Sequence, residues 1–408
     1  MRLANNPAFT VTGGKLSMGG RSVEDVMAMV KPPFFVLLPD RARENRDTFT
    51  SIAQESFPGS RCYYSVKTSM QPALLRAIAG ASMGAQVVSA REFELARAAG
   101  FSPQDIIVDG IYHDATTFDL VARHDDLLFV ESWERNVRFL DAACSQHGKS
   151  ARVGLRFRFP RKENRLGFSP RDRPAMDSLR ETLSSCKNVE PCMLACHPGS
   201  QVQDPKAYAV ACQVLLDAQE ALERGNGSLF QEPMLIDLGG GFPEPEMATP
   251  AFLRAVMAAI RDAISANHDP GRYILCFEPG RYIAGDAGAL VASLLHVFND
   301  DGGNRWALLD IGMDVLTRFA NSHYRFFSIE HPDASHGTPI SFQGRVPTEQ
   351  DVFGKGVHFV KEAIPGEHVL LLNCGAYSTT FSMRFSFPHP PTVVIDGGCC
   401  TVEPTLLP

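Results

Sequence analysis

Eight times between residues 61 and 277 a short apolar run gives way to a polar or glycine-rich break. The runs occupy residues 61–66, 85–89, 105–109, 126–131, 152–157, 192–196, 233–238 and 273–277. Helix-patterned stretches follow most of them, as at 73–79, 91–99, 133–146, 208–223 and 251–266. Short β-like runs alternating with helices predict parallel βαβ units. Eight in succession, within the span of one barrel, predict a closed (β/α)8 barrel of the TIM type over 41–282; a doubly wound open sheet is the competing arrangement. After residue 282 the pattern changes. Runs at 290–298, 306–311, 340–344, 369–373 and 392–396 are spaced by Gly, Pro and Asp breaks, which reads as a mainly β domain. The strand-like segment 34–38 precedes the barrel and is expected to join that domain, so that 1–40 and 283–408 form one β-rich unit.

Composition narrows the partners. A net charge of -7 over 408 residues, without Lys/Arg runs, argues against nucleic acid. No apolar stretch approaches the length of a membrane span. The opening MRLANNPAFTVTGG lacks the apolar core of a secretory signal, and the ten cysteines are scattered, so reduced thiols in a cytoplasmic protein are expected. Cys192 and Cys196 lie in the apolar run CMLAC with no second ligand pair at metal spacing. They read as strand cysteines, and no metal is expected.

Barrel active sites lie at the C-terminal ends of the strands, and the unusual residues of this chain fall there. Gly239, Gly240 and Gly241 follow Leu-Ile-Asp-Leu. Three consecutive glycines can expose backbone N–H groups as an anion nest, although a tight strand-to-helix turn would use them equally well. Arg281, one strand later, can add a bidentate charge to a bound phosphate. Lys67 ends Tyr-Tyr-Ser-Val-Lys. A lysine in that position usually snorkels to solvent. Partly desolvated in a barrel mouth, it becomes a Schiff-base nucleophile. Glu278 is either a surface turn residue before Pro279 or a carboxylate that keeps a ring nitrogen protonated. His197, in Ala-Cys-His-Pro-Gly-Ser-Gln, is by itself an ordinary core histidine, but it stands at a strand end beside Ser200.

Together these motifs resemble the fold-type III decarboxylases that use pyridoxal 5'-phosphate, the ornithine/diaminopimelate decarboxylase group. The resemblance runs over nearly the whole chain. It rests on Tyr-Ser-Val-Lys-Thr (64–68), Gly-Ala-Gln-Val-Val-Ser-Ala-Arg-Glu (84–92), Asn-Arg-Leu-Gly-Phe (164–168), His-Pro-Gly-Ser-Gln (197–201), Gly-Gly-Gly-Phe (239–242) and Glu-Pro-Gly-Arg (278–281). Asp-Ile-Gly-Met-Asp-Val-Leu-Thr-Arg (310–318) and Cys-Gly-Ala-Tyr (374–377) are similar to the diaminopimelate branch. The resemblance implies that Lys67 carries the cofactor, His197 stacks on its ring and Glu278 pairs with the pyridine nitrogen. It further implies that Ser200, Gly240, Gly241, Arg281 and Tyr377 hold the phosphate, with Arg156 close by. It also implies an amino-acid substrate that loses CO2, and a homodimer whose β domains complete each other's active sites.

The chain departs from the family at informative points. In the β-domain segment that normally reads Gly-x-x-Cys-acidic-x-x-Asp, Gly344 and Asp351 keep their spacing, but Pro347 and Thr348 replace the cysteine and its neighbour. Proline cannot deliver a proton. Cys374, Cys399 and Cys400 are the candidate substitutes. Gln86 stands where an aspartate is usual, and 319–324, ending at Tyr324, replaces a Pro-containing run. With no acid at Thr348 a second substrate ammonium has no partner. Arg318, Arg345 and Arg384 are the candidate acceptors for a distal carboxylate, with Thr348 and Tyr324 as further substrate contacts. The expected substrate is a carboxylate-bearing amino acid or conjugate in a specialised pathway, such as siderophore assembly. The alternatives are an amino-acid racemase of the same architecture, which would place an arginine rather than Glu278 at the ring nitrogen, and a non-catalytic protein that binds the same cofactor.

Overall fold

The computed structural model describes every residue except 81, 125–126, 162, 225–226, 318–321, 335–336, 384 and 404–408. Eight parallel strands close into a barrel: Arg61–Ser65, Gly84–Val87, Ile106–Asp109, Leu128–Glu131, Ala151–Phe157, Val189–Cys196, Met234–Asp237 and Tyr273–Phe277. The eighth strand returns to the first, with Cys276 opposite Arg61 and Phe277 opposite Cys62. The chain is thus a (β/α)8 barrel with a mainly β second domain. Side chains alternate along each strand, as the pleat requires. Tyr64, Val153 and Ile236 pack outward under the helices, whereas Tyr63, Met193 and Leu235 fill the barrel interior. Cys192 and Cys196 both lie on the sixth strand, and the described residues contain no cluster able to hold a metal.

The eighth place in the helical ring is filled from an unexpected direction. After the last barrel strand only the short helix Arg281–Ala284 follows before the chain enters the β domain. The 18-residue helix Pro39–Ser56, which precedes the first strand, closes the ring instead, packing between Pro72–Ile78 and Pro250–Ser265. Its Phe49 meets Phe242, Phe277 and Tyr282 at ring separations of 4.8, 6.0 and 5.4 Å. Edge-on packing of this kind adds to the gain from burial.

In the β domain the strand Phe34–Leu37 lies between Gly288–Asn299, to which it is antiparallel, and Thr392–Asp396, to which it is parallel. Phe34–Leu37 and the C-terminal third therefore share one nine-stranded sheet, while Phe9–Thr12, Lys15–Met18 and Arg21–Ser22 form a separate three-stranded one. The strands Arg325–Ser328, Val352–Phe359 and Cys399–Glu403 extend it beyond the runs legible in the sequence.

Glu131 ends the fourth barrel strand on the outward side and is wholly buried. One carboxylate oxygen accepts from Asn136 Nδ2 at 2.9 Å and the Ser132 N–H at 3.2 Å, while Oε1 has no partner among the described residues. Burial pushes this carboxyl up to about 8. The folded state therefore holds a proton that the unfolded chain releases near its ordinary 4.5. The stabilisation is complete below pH 4.5 and is lost as pH rises toward 8, by up to about 4 kcal/mol. Thermal midpoints measured from pH 5 to 8 should fall more steeply for the natural protein than for Glu131→Gln; parallel curves would refute the assignment.

Candidate active site

A cavity of about 470 Å³ opens at the C-terminal ends of the barrel strands. Lys67, Arg156, His197, Ser200, Gly240, Gly241, Glu278, Arg281 and Tyr377 all line it, joined by Ser65, Asp109, Gln201 and Phe381. Each barrel residue in the set stands at or just past a strand end, so closure of the barrel brings positions from across some 200 residues to one mouth.

Lys67 sits on the 3-10 turn Val66–Thr68, directly after the first strand. Its Nζ donates to Gln86 Oε1 at 3.1 Å, an oxygen that also accepts from the Ser65 hydroxyl. Gln86 Nε2 in turn donates to the Asp109 carbonyl at 2.8 Å. The neutral amide therefore still orients the lysine but adds no negative charge beside it. Asp109 pairs with Arg156 at 3.3 Å, which neutralises both groups inside the barrel.

His197 is partly buried, and its Nδ1 accepts the Gly240 N–H at 3.2 Å, so the ring proton resides on Nε2. Burial first, then the charges of Arg156, Lys67 and Arg161, lower the imidazole to about 3. It is neutral at physiological pH and presents an uncharged flat ring. Glu278 is buried, and its Oε1 has no hydrogen-bond partner among the described residues. Burial, with Asp237 and Asp109 as neighbouring like charges, holds its carboxyl well above the usual range. Asp237 stands on the adjacent strand, opposite Cys276, and its Oδ1 accepts the Gly239 N–H at 2.7 Å.

The glycines have no room for side chains. A Cβ on Gly240 would stand 2.5 Å from the Glu278 carbonyl oxygen. One on Gly241, whose φ is +88°, would stand 2.3 Å from the carbonyl of Gly199. Arg281 reaches the wall already bound to the buried Glu244 at 3.0 Å, and Gln201 Nε2 donates to the same carboxylate at 3.1 Å. The Arg281 guanidinium also lies 5.1 Å from the ring centre of Tyr377. Tyr377, with φ +60°, is held by its N–H donating to the Thr68 carbonyl at 2.7 Å.

Residues 48–285 match the family model described as pyridoxal-dependent decarboxylase, pyridoxal binding domain. The chain belongs to that family. Over 96% of its length it is 22% identical to the diaminopimelate decarboxylase of Aquifex aeolicus, covering 93% of that protein. It is 23% identical to the L-glutamyl-[BtrI acyl-carrier protein] decarboxylase of Niallia circulans, over 85% of each chain. The solved diaminopimelate decarboxylase of M. jannaschii in complex with L-lysine superposes with a TM-score of 0.85 at 19% identity, covering 98% of this chain and 95% of that one.

This pyridoxal-dependent amino-acid decarboxylase has a cavity suited to its cofactor. The unpartnered Glu278 oxygen would be satisfied by a protonated ring nitrogen, the neutral His197 ring offers a stacking face, and Gly240 and Gly241 line the wall without side chains that would keep a phosphate away. Lys67 is the only lysine among the described residues lining the cavity.

Apart from Tyr377, the described β-domain residues singled out in the sequence lie elsewhere in this protomer. Tyr324 is buried in the β-domain core, with its hydroxyl donating to the Thr317 carbonyl. Arg345 is bound to the buried Asp314 at 3.0 Å, and its guanidinium lies over the Phe387 ring at 4.3 Å. Pro347 and Thr348 form an exposed turn. Arg318 and Arg384 lie outside the described residues. Cys374 is buried in the β-domain core, donating to the Leu371 carbonyl at 3.3 Å, and Cys399 and Cys400 start the last strand of the sheet. None of these three thiols lines the cavity. The features that sequence reasoning missed are contacts between strands: the Arg156–Asp109 pair, the Glu244 anchor of Arg281 and the proximity of Asp237 to Glu278.

Proposed function

We propose that this decarboxylase acts on an amino acid or amino-acid conjugate that carries a distal carboxylate, as a cytoplasmic homodimer serving a specialised biosynthetic route. One observation carries the reading. The only carboxylates among the described lining residues are Asp109 and Glu278. Asp109 is paired with Arg156 and Glu278 is buried for the cofactor ring, so no acid of this protomer remains for a second substrate ammonium. The exposed Thr348 supplies none either.

Pyridoxal 5'-phosphate bound here supplies an electron sink for the pair left when CO2 departs. The chain's own residues do the rest. Lys67 would hold the cofactor through its Nζ. Gln86 keeps the Lys67 amine aimed by its hydrogen bond. His197 would pack against the ring face without adding charge, and Glu278 would keep a proton at the ring nitrogen. Ser200, Gly240, Gly241, Arg281 and Tyr377 anchor the phosphate end.

The dimer reading is supported by the exposed apolar row Phe381, Met383, Phe385 and Phe387, which begins at the cavity wall. A second copy would cover it. Ten free cysteines suit a reducing compartment. The test is a substrate panel, with CO2 and amine product measured together, on a preparation whose mass is checked against twice 44.7 kDa. Turnover of glutamate-like or conjugated acids at least ten times that of lysine, ornithine or diaminopimelate is expected. Preference for a diamine acid would refute the substrate reading.

A further inference from the structure

The segment from 156 to 173, which leaves the fifth barrel strand, carries seven basic and two acidic side chains in a chain whose net charge is -7. Its inner arginines are committed. Arg156 pairs with Asp109, and Arg158 Nε donates to the Gly167 carbonyl at 2.7 Å. Arg161 differs. It is exposed, and no carboxylate lies within ion-pairing distance of its guanidinium among the described residues.

Its position is nevertheless built. The Arg161 N–H donates to the Phe159 carbonyl at 2.8 Å, and its own carbonyl accepts the Asn164 N–H at 3.0 Å. The Asn164 side chain ties the turn at both ends, donating to the Phe159 carbonyl at 3.2 Å and accepting the Leu166 N–H at 3.1 Å. Leu166 lines the cavity. The guanidinium packs on the backbone of Gly199, where a Cβ would stand 3.1 Å from Arg161 Nη1, and the next residue, Ser200, is again a lining residue. An uncommitted cation thus rests on the cavity rim, close enough for its charge to act on His197.

We infer that Arg161 is the specificity residue that receives the substrate's distal carboxylate, an inference that rests on the carboxylate reading above. Of the β-domain arginines suggested by sequence, Arg345 is already neutralised by Asp314, and Arg318 and Arg384 lie outside the described residues. The rim arginine lies on the same protomer as Lys67, so the distance between the reacting amine and the distal anion is set within one barrel. A guanidinium meets a carboxylate with two parallel hydrogen bonds, whereas an ammonium substrate would be repelled.

The experiment measures glutarate binding to the holoenzyme by calorimetry, for the natural protein, Arg161→Ala and Arg161→Lys, with cofactor affinity titrated in parallel. The natural protein is expected to bind glutarate, Arg161→Ala about ten- to a hundred-fold more weakly, and Arg161→Lys in between, with cofactor affinity unchanged. Equal binding by Arg161→Ala and the natural protein would overturn the role of Arg161 while leaving the carboxylate reading intact. A natural protein that binds cadaverine and not glutarate would overturn both. Loss of cofactor affinity in Arg161→Ala would reassign the guanidinium to the cofactor phosphate and overturn the inference.

Discussion

Lys67→Ala is expected to lose the visible absorbance of covalently held cofactor, and to decarboxylate at least about 10³-fold more slowly. The cavity contains no second lysine among the described residues to take over. The amine is also placed: the turn Val66–Thr68 sets its root, and Gln86 Oε1 holds its tip at 3.1 Å. Folding is not expected to suffer, because Lys67 is only part-buried and its two close partners, Gln86 and Ser65, remain bonded to each other. An unchanged circular dichroism spectrum with the absorbance gone supports the assignment. A variant that keeps the band must hold the cofactor through another amine, and would refute it.

Glu278→Gln should lower kcat by about 10²- to 10⁴-fold while leaving most cofactor binding intact. The carboxylate stands buried beside Asp237 and Asp109, and it is expensive to ionise without a cation. A protonated ring nitrogen would supply that cation, and Glu278 would in return keep the nitrogen protonated and the ring electron-poor. An amide of the same size preserves the packing but cannot stabilise the charge. A kcat within twofold of the natural protein would show that the ring nitrogen takes its proton from elsewhere. The same test bears on the racemase alternative, in which an arginine occupies this place and the ring is a weaker electron sink.

Gln86 shows how a departure from the family pattern is absorbed. Read along the chain, it is a lost carboxylate near the reactive amine. In the folded protein the amide oxygen accepts from both Lys67 and Ser65, and the amide nitrogen donates to the Asp109 carbonyl. The orienting hydrogen bond survives and only the charge is removed. The loss of the cysteine at Pro347 is not compensated in this way within one protomer. The nearest sequence substitute, Cys374, is buried in the β-domain core, and burial holds its thiol well above the usual range.

By itself the sequence determined the barrel and the list of residues at its mouth. Strand and helix periodicities are local, so eight short apolar runs can be counted without knowing what each packs against. Lys67, His197, Gly240, Gly241, Glu278 and Arg281 each sit at or just beyond a run's end, and in a closed barrel those ends converge by construction. Partnerships across the fold needed the tertiary structure. The helix Pro39–Ser56 takes the eighth place in the ring because the chain leaves for the β domain after its last barrel strand. Asp237 approaches Glu278 because the seventh and eighth strands pair in a particular register. Among the basic residues, sequence reasoning pointed to Arg318, Arg345 and Arg384, of which only Arg345 lies among the described residues. Folding buries its partner Asp314 beneath it and leaves Arg161 uncommitted on the rim. Which arginine is free depends on which carboxylates three-dimensional packing brings within reach, and that information is not local to any stretch of chain.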